Sequence, residues 1–91
     1  MEGSQRQGTW EPTALKKYED MIQRIPLFHR EIAQQVVDKK AEENARGRNS
    51  KLVEEEDILR AFFSEIPQAL YSMMVRLMDT VGFDYKKYEK K

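Results

Sequence analysis

The sequence predicts an all-α fold: a small helical bundle with one long central helix and three shorter helices around it. Apolar residues recur at steps of three and four through most of the chain, which is the period of a buried helix face. No stretch alternates apolar and polar residues as a half-buried strand does. Two Ile-Pro pairs, Ile25-Pro26 and Ile66-Pro67, divide the pattern, because proline restricts the preceding residue and suits the first turn of a helix.

Length and composition narrow the class of protein. The chain has 91 residues, no cysteine and one histidine, and its 16 basic side chains balance 16 acidic ones. A chain without cysteine forms no disulfides, zinc–thiolate sites or cysteine-ligated clusters. No apolar run approaches the roughly 20 residues that span a bilayer. We therefore expect a cytoplasmic protein without cofactor, metal or membrane contact: a disordered N-terminus over residues 1–8, one helical domain over 9–82 and a C-terminal tail over 83–91.

The first two helices are the best defined. Helix one is predicted from about Pro12 to Arg24, with Thr9 or Thr13 as its N-cap. The central helix, about residues 26–46, begins at Pro26, and Gly47 can end it in the left-handed conformation. Its apolar residues share one broad face: Phe28, Ile32, Ala33, Val36, Val37, Ala41 and Ala45.

The second half of the chain contains two more helices. Leu52-Val53 is predicted as a short extended pair. Helix three then opens at Glu54 to Asp57, where negative charge meets the positive end of the helix dipole. Helix four is predicted from Pro67 to about Val81, ending at Gly82. The predicted core comprises Trp10, Leu15, Tyr18, Ile22, Phe28, Ile32, Val36, Val37, Leu52, Ile58, Phe62 and Leu70.

Helix four carries more apolar residues than one buried stripe needs. Leu70, Met73, Leu77 and Val81 form a stripe that can face the bundle. A second group then remains outward, and methionine-rich faces adapt to partners. We therefore expect a protein partner or a homodimer through Tyr71, Met74, Val75 and Met78.

The order of several residues resembles the protochlorophyllide reductase-like helical domain. That domain forms the C-terminus of the B subunit of light-independent protochlorophyllide reductase. The resemblance spans Trp10 to Ala61 and includes the Pro26-x-Phe28-x-Arg30 opening of the central helix. Two features depart from the pattern: the loop before Leu52 is longer, and Glu54 replaces a Ser or Thr. The matching positions are Trp10, Pro26, Phe28, Arg30, Ala33, Ala41, Gly47 and Ala61, while Asp38 stands where a glutamate is usual.

The resemblance implies a fold and an accessory role. In the reductase, the cluster ligands and most of the substrate pocket belong to large domains that this chain lacks. The implied function is a non-catalytic interaction domain that acts on a protein or a tetrapyrrole-related partner. It would not be an enzyme on its own, although it could associate with a protochlorophyllide reductase-like oxidoreductase.

An alternative is a histone-fold-like DNA-binding protein. The central helix, the basic loop and Val53-x-x-Glu56-Asp57-Ile58 resemble the second half of a histone fold. Phosphate contacts would then come from Arg46, Arg48 and Lys51. The balanced charge and the nearby acidic residues disfavour nucleic acid. No nucleophile–base pair, metal-ligand cluster or phosphate loop is visible in the sequence, so we predict no catalytic residue.

Overall fold

Over residues 8–89 the fold is a bundle of four α-helices, as the sequence predicts. A computed structural model describes residues 8–89; the predicted disordered N-terminus therefore lies outside the described residues, except for Gly8. The helices are α1 (Pro12–Arg24), α2 (Leu27–Gly47), α3 (Glu55–Glu65) and α4 (Tyr71–Val81). The long α2 lies at the centre, with α3 packed along it and α1 contacting α2, α3 and α4.

No helix within residues 8–89 combines the length and the apolar character that crossing a bilayer requires.

Two short strands tie the start of the chain to the loop before α3. Strand β1 (Thr9–Trp10) pairs in parallel with β2 (Leu52–Val53). The extended pair at β2 is confirmed, but the sequence assigned β1 to a helix start. Glu11 caps α1 in place of a threonine, because its side chain accepts a hydrogen bond of 2.6 Å from the Ala14 N–H.

The two Ile-Pro pairs form the predicted corners. Ile25 and Ile66 have extended backbone, and each precedes a proline after which helical structure begins. At the first corner, the Arg30 guanidinium donates to the carbonyl oxygens of Gln23 and Ile25 at 2.8 and 3.1 Å. Arg30 therefore satisfies carbonyl groups at the C-terminal end of α1.

The helix ends differ in part from the prediction. Gly47 is the last residue of α2, and Asn49 adopts the left-handed conformation, with φ of 60°. Helix four begins with a 3-10 turn at Gln68–Leu70 before α4, and Gly82 ends it with φ of 89° as predicted. The segment after Gly82 packs on the bundle, since Phe83 is only 3% exposed.

Six of the twelve residues predicted to lie in the core are buried. Trp10, Tyr18, Ile22, Val37, Ile58 and Phe62 are buried. Leu15, Leu52 and Leu70 are half-buried. The prediction is wrong for Phe28, Ile32 and Val36, which are exposed.

The error at α2 comes from the choice of its buried side. The side that faces the bundle carries the small residues Val37, Ala41 and Ala45, which let neighbouring helices approach closely. It also carries Asp38 and Glu42, both buried. Hydrogen bonding compensates the burial of these carboxylates, and the larger apolar residues are left on the opposite side.

Candidate functional site

The most unusual surface of the protein is a row of apolar side chains at the start of α2. Leu27 is 77% exposed, Phe28 88%, Ile32 68% and Val36 37%. Phe28, Ile32 and Val36 are spaced by four residues and so lie on one side of the helix. Leu27 precedes this row and lies about 100° round the helix from Phe28. We call Phe28, Ile32 and Val36 the α2 face. Single exposed apolar residues are common, but a contiguous group of large ones is typical of an interaction site.

A small apolar pocket lies beside the α2 face. Its volume is about 40 Å³, larger than the space one water molecule needs. His29 and Ala33 of α2 form one wall, and Ile66, Leu70 and Leu77 are among the residues opposite. The apolar surface therefore continues from the α2 face toward α4.

Buried hydrogen bonds fix the orientation of α2. The Tyr18 hydroxyl donates to Asp38 Oδ1 at 2.6 Å, and both groups are buried. Farther along the helix, Glu42 Oε2 accepts from the Trp10 indole N–H at 3.1 Å and from the Gly8 backbone N–H at 2.9 Å. Because these carboxylates belong in the core, rotating α2 to bury Phe28 would expose their partners and leave polar groups unpaired.

Most residues of the proposed family motif help to hold the fold together. Trp10 stacks on Tyr18 with ring centroids 5.3 Å apart, and Ala41 is fully buried. Pro26 caps the start of α2 and Arg30 holds the corner before it. Gly47 has open space around it. Phe28, in contrast, is a large apolar motif residue that is 88% exposed.

The three residues predicted to contact phosphate are not equivalent. Arg48 donates two hydrogen bonds to the carboxylate of Asp57, at 2.9 and 2.6 Å, and Asp57 is 1% exposed. These hydrogen bonds raise the pKa of Arg48 well above its usual value, and Glu56 and Glu54 add to the effect. Arg46 and Lys51 are exposed. Arg48 is thus part of the loop's internal structure, which weakens the DNA-binding alternative.

Two of the four residues expected to form an interface on helix four are buried instead. Met74 and Met78 are buried in the core, at 2% and 0% exposure, so their assignment to an outward face is wrong. Tyr71 and Val75 are half-buried and pack against the core. The physical reason is that α4 turns the second of its two apolar stripes inward, leaving Met73 and Leu77 half-buried beside the pocket.

An open groove of about 370 Å³ lies farther along α2, where Lys40 follows Val36 at the same four-residue spacing. Lys40, Arg60 and Lys87 line it, with Phe63 and Tyr88 among the other lining residues. Its positive charge is partly balanced, because Glu43 lies 3.9 Å from Lys40 and Glu56 lies 3.8 Å from Arg60. In the part of the chain from residue 8 to 89, no three His, Cys, Asp or Glu side chains are grouped to hold a metal ion.

Comparison with known proteins gives no match. No family model matches the chain, and neither the curated proteins nor the solved structures contain a match to it. The resemblance to the reductase domain therefore depends on the motif residues alone. The α2 face, defined by its exposure, is the candidate functional site.

Proposed function

We propose that this protein is a non-catalytic helical accessory domain that docks on a protein partner through the α2 face. The observation that carries the proposal is the exposure of Phe28, Ile32 and Val36 in one row on a well-anchored helix. Each large apolar side chain gains about 1.5–3 kcal/mol when it moves from water into an apolar contact. Docking would therefore bury apolar side chains that remain exposed after this chain folds.

Because α2 is anchored to the bundle, docking on it costs less conformational entropy. Tyr18–Asp38 and Trp10–Glu42 hold the middle of the helix, and Arg30 holds its first turn to α1. A surface that is ordered before it binds loses little conformational freedom on binding. An accessory role also agrees with the resemblance to the terminal helical domain of the reductase B subunit, in which the chemistry belongs to other domains.

Site-specific photo-crosslinking in the producing cell tests this proposal. A benzoylphenylalanine at position 28 should yield covalent adducts with a protein, because that side chain lies in the proposed contact. The matched control is the same photoreactive residue at exposed position 46, toward the other end of α2 and about 27 Å along the helix from position 28. Adducts at equal yield from both positions, or none from position 28, would contradict the proposal.

A further inference from the structure

We infer that the partner at the α2 face is a second copy of this chain, with the two α2 helices packed antiparallel about a two-fold axis near Ile32. This inference rests on the proposed function and names its partner. Three features of the face support it: its area, the order of large and small side chains, and the charges along its edge.

The area suits a modest dimer. With about 150–250 Å² for a large, fully exposed aromatic side chain and somewhat less for an aliphatic one, the exposed fractions of Phe28, Ile32 and Val36 correspond to roughly 350 Å² on each copy. Two copies then bury about 700 Å², and the exposed Gln35 and Lys39 beside the row bring the total toward about 1,000 Å², in the range of weak, reversible interfaces. A symmetric pair covers the same surface on both molecules.

The side chains of the face complement themselves in the antiparallel direction. An axis at Ile32 places Ile32 against its own copy and Phe28 of one chain opposite Val36 of the other, because both lie four residues from the axis. A large side chain then meets a small one at each end, which keeps the spacing between the helices even. A parallel pair would instead place Phe28 on Phe28 and Val36 on Val36.

The charges on the edge of the face favour the same arrangement. Glu31 and Lys39 are both exposed and lie on the same side of the row, Glu31 next to the axis and Lys39 seven residues beyond it. The axis therefore sets Lys39 of the second copy about 9 Å along the helix from Glu31, on the N-terminal side of Glu31. Helical side chains lean toward the N-terminus, so in the antiparallel pair Glu31 of one chain and Lys39 of the other lean toward each other. The two-fold axis produces this ion pair twice. In a parallel pair the same edges of the two copies lie on opposite sides of the contact, so Glu31 and Lys39 do not meet.

Sedimentation equilibrium on purified protein tests the inference. We expect a monomer–dimer equilibrium in the micromolar range, and Phe28→Glu should weaken it roughly ten-fold or more, because two charges enter an apolar contact. The control is Thr13→Glu, which places the same charge on an exposed residue in the first turn of α1, outside the face. Far-UV circular dichroism should be unchanged in both variants. A strict monomer at several hundred micromolar, or equal weakening by both variants, would overturn the inference.

A charge swap tests the antiparallel register. Glu31→Lys and Lys39→Glu should each weaken the dimer by about two- to five-fold, as expected for two exposed ion pairs. The double variant should recover wild-type affinity, because the pair is restored with its signs exchanged. Failure of the double variant to recover would overturn the register. If position 28 crosslinks to a different protein while the chain remains monomeric, the second copy is rejected and the proposed function stands.

Discussion

Two tyrosine hydroxyls, of Tyr18 and Tyr71, are buried, but they differ in whether they have a hydrogen-bond partner. Tyr18 donates to the buried carboxylate of Asp38, whereas Tyr71 Oη is buried without a hydrogen-bond partner among residues 8–89. Tyr18→Phe should therefore lower the free energy of unfolding by about 1–3 kcal/mol, since Asp38 loses a donor. Tyr71→Phe should be neutral or slightly stabilising, because it removes a desolvated hydroxyl. Urea unfolding of the two variants measures the difference, and equal losses would contradict this account.

Arg48 holds the loop between α2 and α3 through ion pairs with acidic residues at the start of α3, of which the one with Asp57 is the shortest at 2.6 Å. Asp57 accepts from Arg48 and also from the Glu54 N–H at 2.9 Å, so it belongs both to the loop and to the capping box of α3. Arg48→Ala should lower the free energy of unfolding by about 2–4 kcal/mol, because a buried carboxylate loses its cation. Arg46→Ala, in the same segment but exposed, is the matched control and should change it little.

The pH dependence of this ion pair follows from the direction of its pKa shift. Folding raises the pKa of Arg48. The contribution is therefore fully present below the ordinary arginine pKa and is lost only as pH rises through the still higher folded value. The difference in stability between wild type and Arg48→Ala should stay constant from neutral to mildly alkaline pH. A difference that disappears over that range would show that another group controls the loop.

At the scale of elements, the helices and corners follow from local sequence. Two local signals mark where helices begin: proline at positions 26 and 67, and the acidic residues before Ile58. Both act on the nearby backbone, so they can be recognised from the sequence alone. The pairing of β1 with β2 is not visible, because two residues make no alternating pattern and their partners are more than forty positions apart. Which stripe of α4 faces inward is also decided by the shape of the rest of the bundle.

The orientation of α2 could not be predicted from apolar periodicity alone. Small residues such as Ala41 and Ala45 have weak apolar character, but they allow close packing of helices. Phe28 and Ile32 dominate any measure of hydrophobicity, yet they lie outside. The available signal was the four-residue spacing of Asp38 and Glu42, two acceptors that Tyr18 and Trp10 of the preceding segment can satisfy. The sequence therefore predicted exposed apolar residues on helix four, whereas the fold exposes those at the start of α2.

Gly82 is required by the conformation that ends α4. Its φ of 89° is unfavourable for any residue with a Cβ, although a Cβ would meet only Lys17 Cε at 3.9 Å. Gly82→Ala should therefore lower the free energy of unfolding by about 1–2 kcal/mol through backbone strain. Gly47→Ala is the matched control: its φ is helical and its surroundings are open, so it should be neutral or slightly stabilising. Equal effects of the two variants in thermal unfolding would argue against the left-handed turn.

At the scale of the whole molecule, α2 has charged groups on the inside and large apolar groups on the outside. Asp38 and Glu42 are buried while Phe28 and Ile32 face solvent. Such an arrangement is unusual for a chain that acts alone, because it exposes apolar surface that another arrangement of side chains would bury. It is expected of a subunit whose second contact is made after folding. This inversion, with carboxylates buried and large apolar side chains exposed, is the basis of both the docking surface and the antiparallel dimer that we propose.

The unfolding free energy of Phe28→Ala tests the inversion most directly, with Phe62→Ala as the internal comparison. Phe62 is 1% exposed, so its truncation should cost about 3–5 kcal/mol in denaturant unfolding. Phe28 is 88% exposed, so at protein concentrations low enough to keep the chain monomeric its truncation should cost less than about 0.5 kcal/mol. A cost for Phe28→Ala comparable to that for Phe62→Ala would place Phe28 in the core and contradict the α2 face.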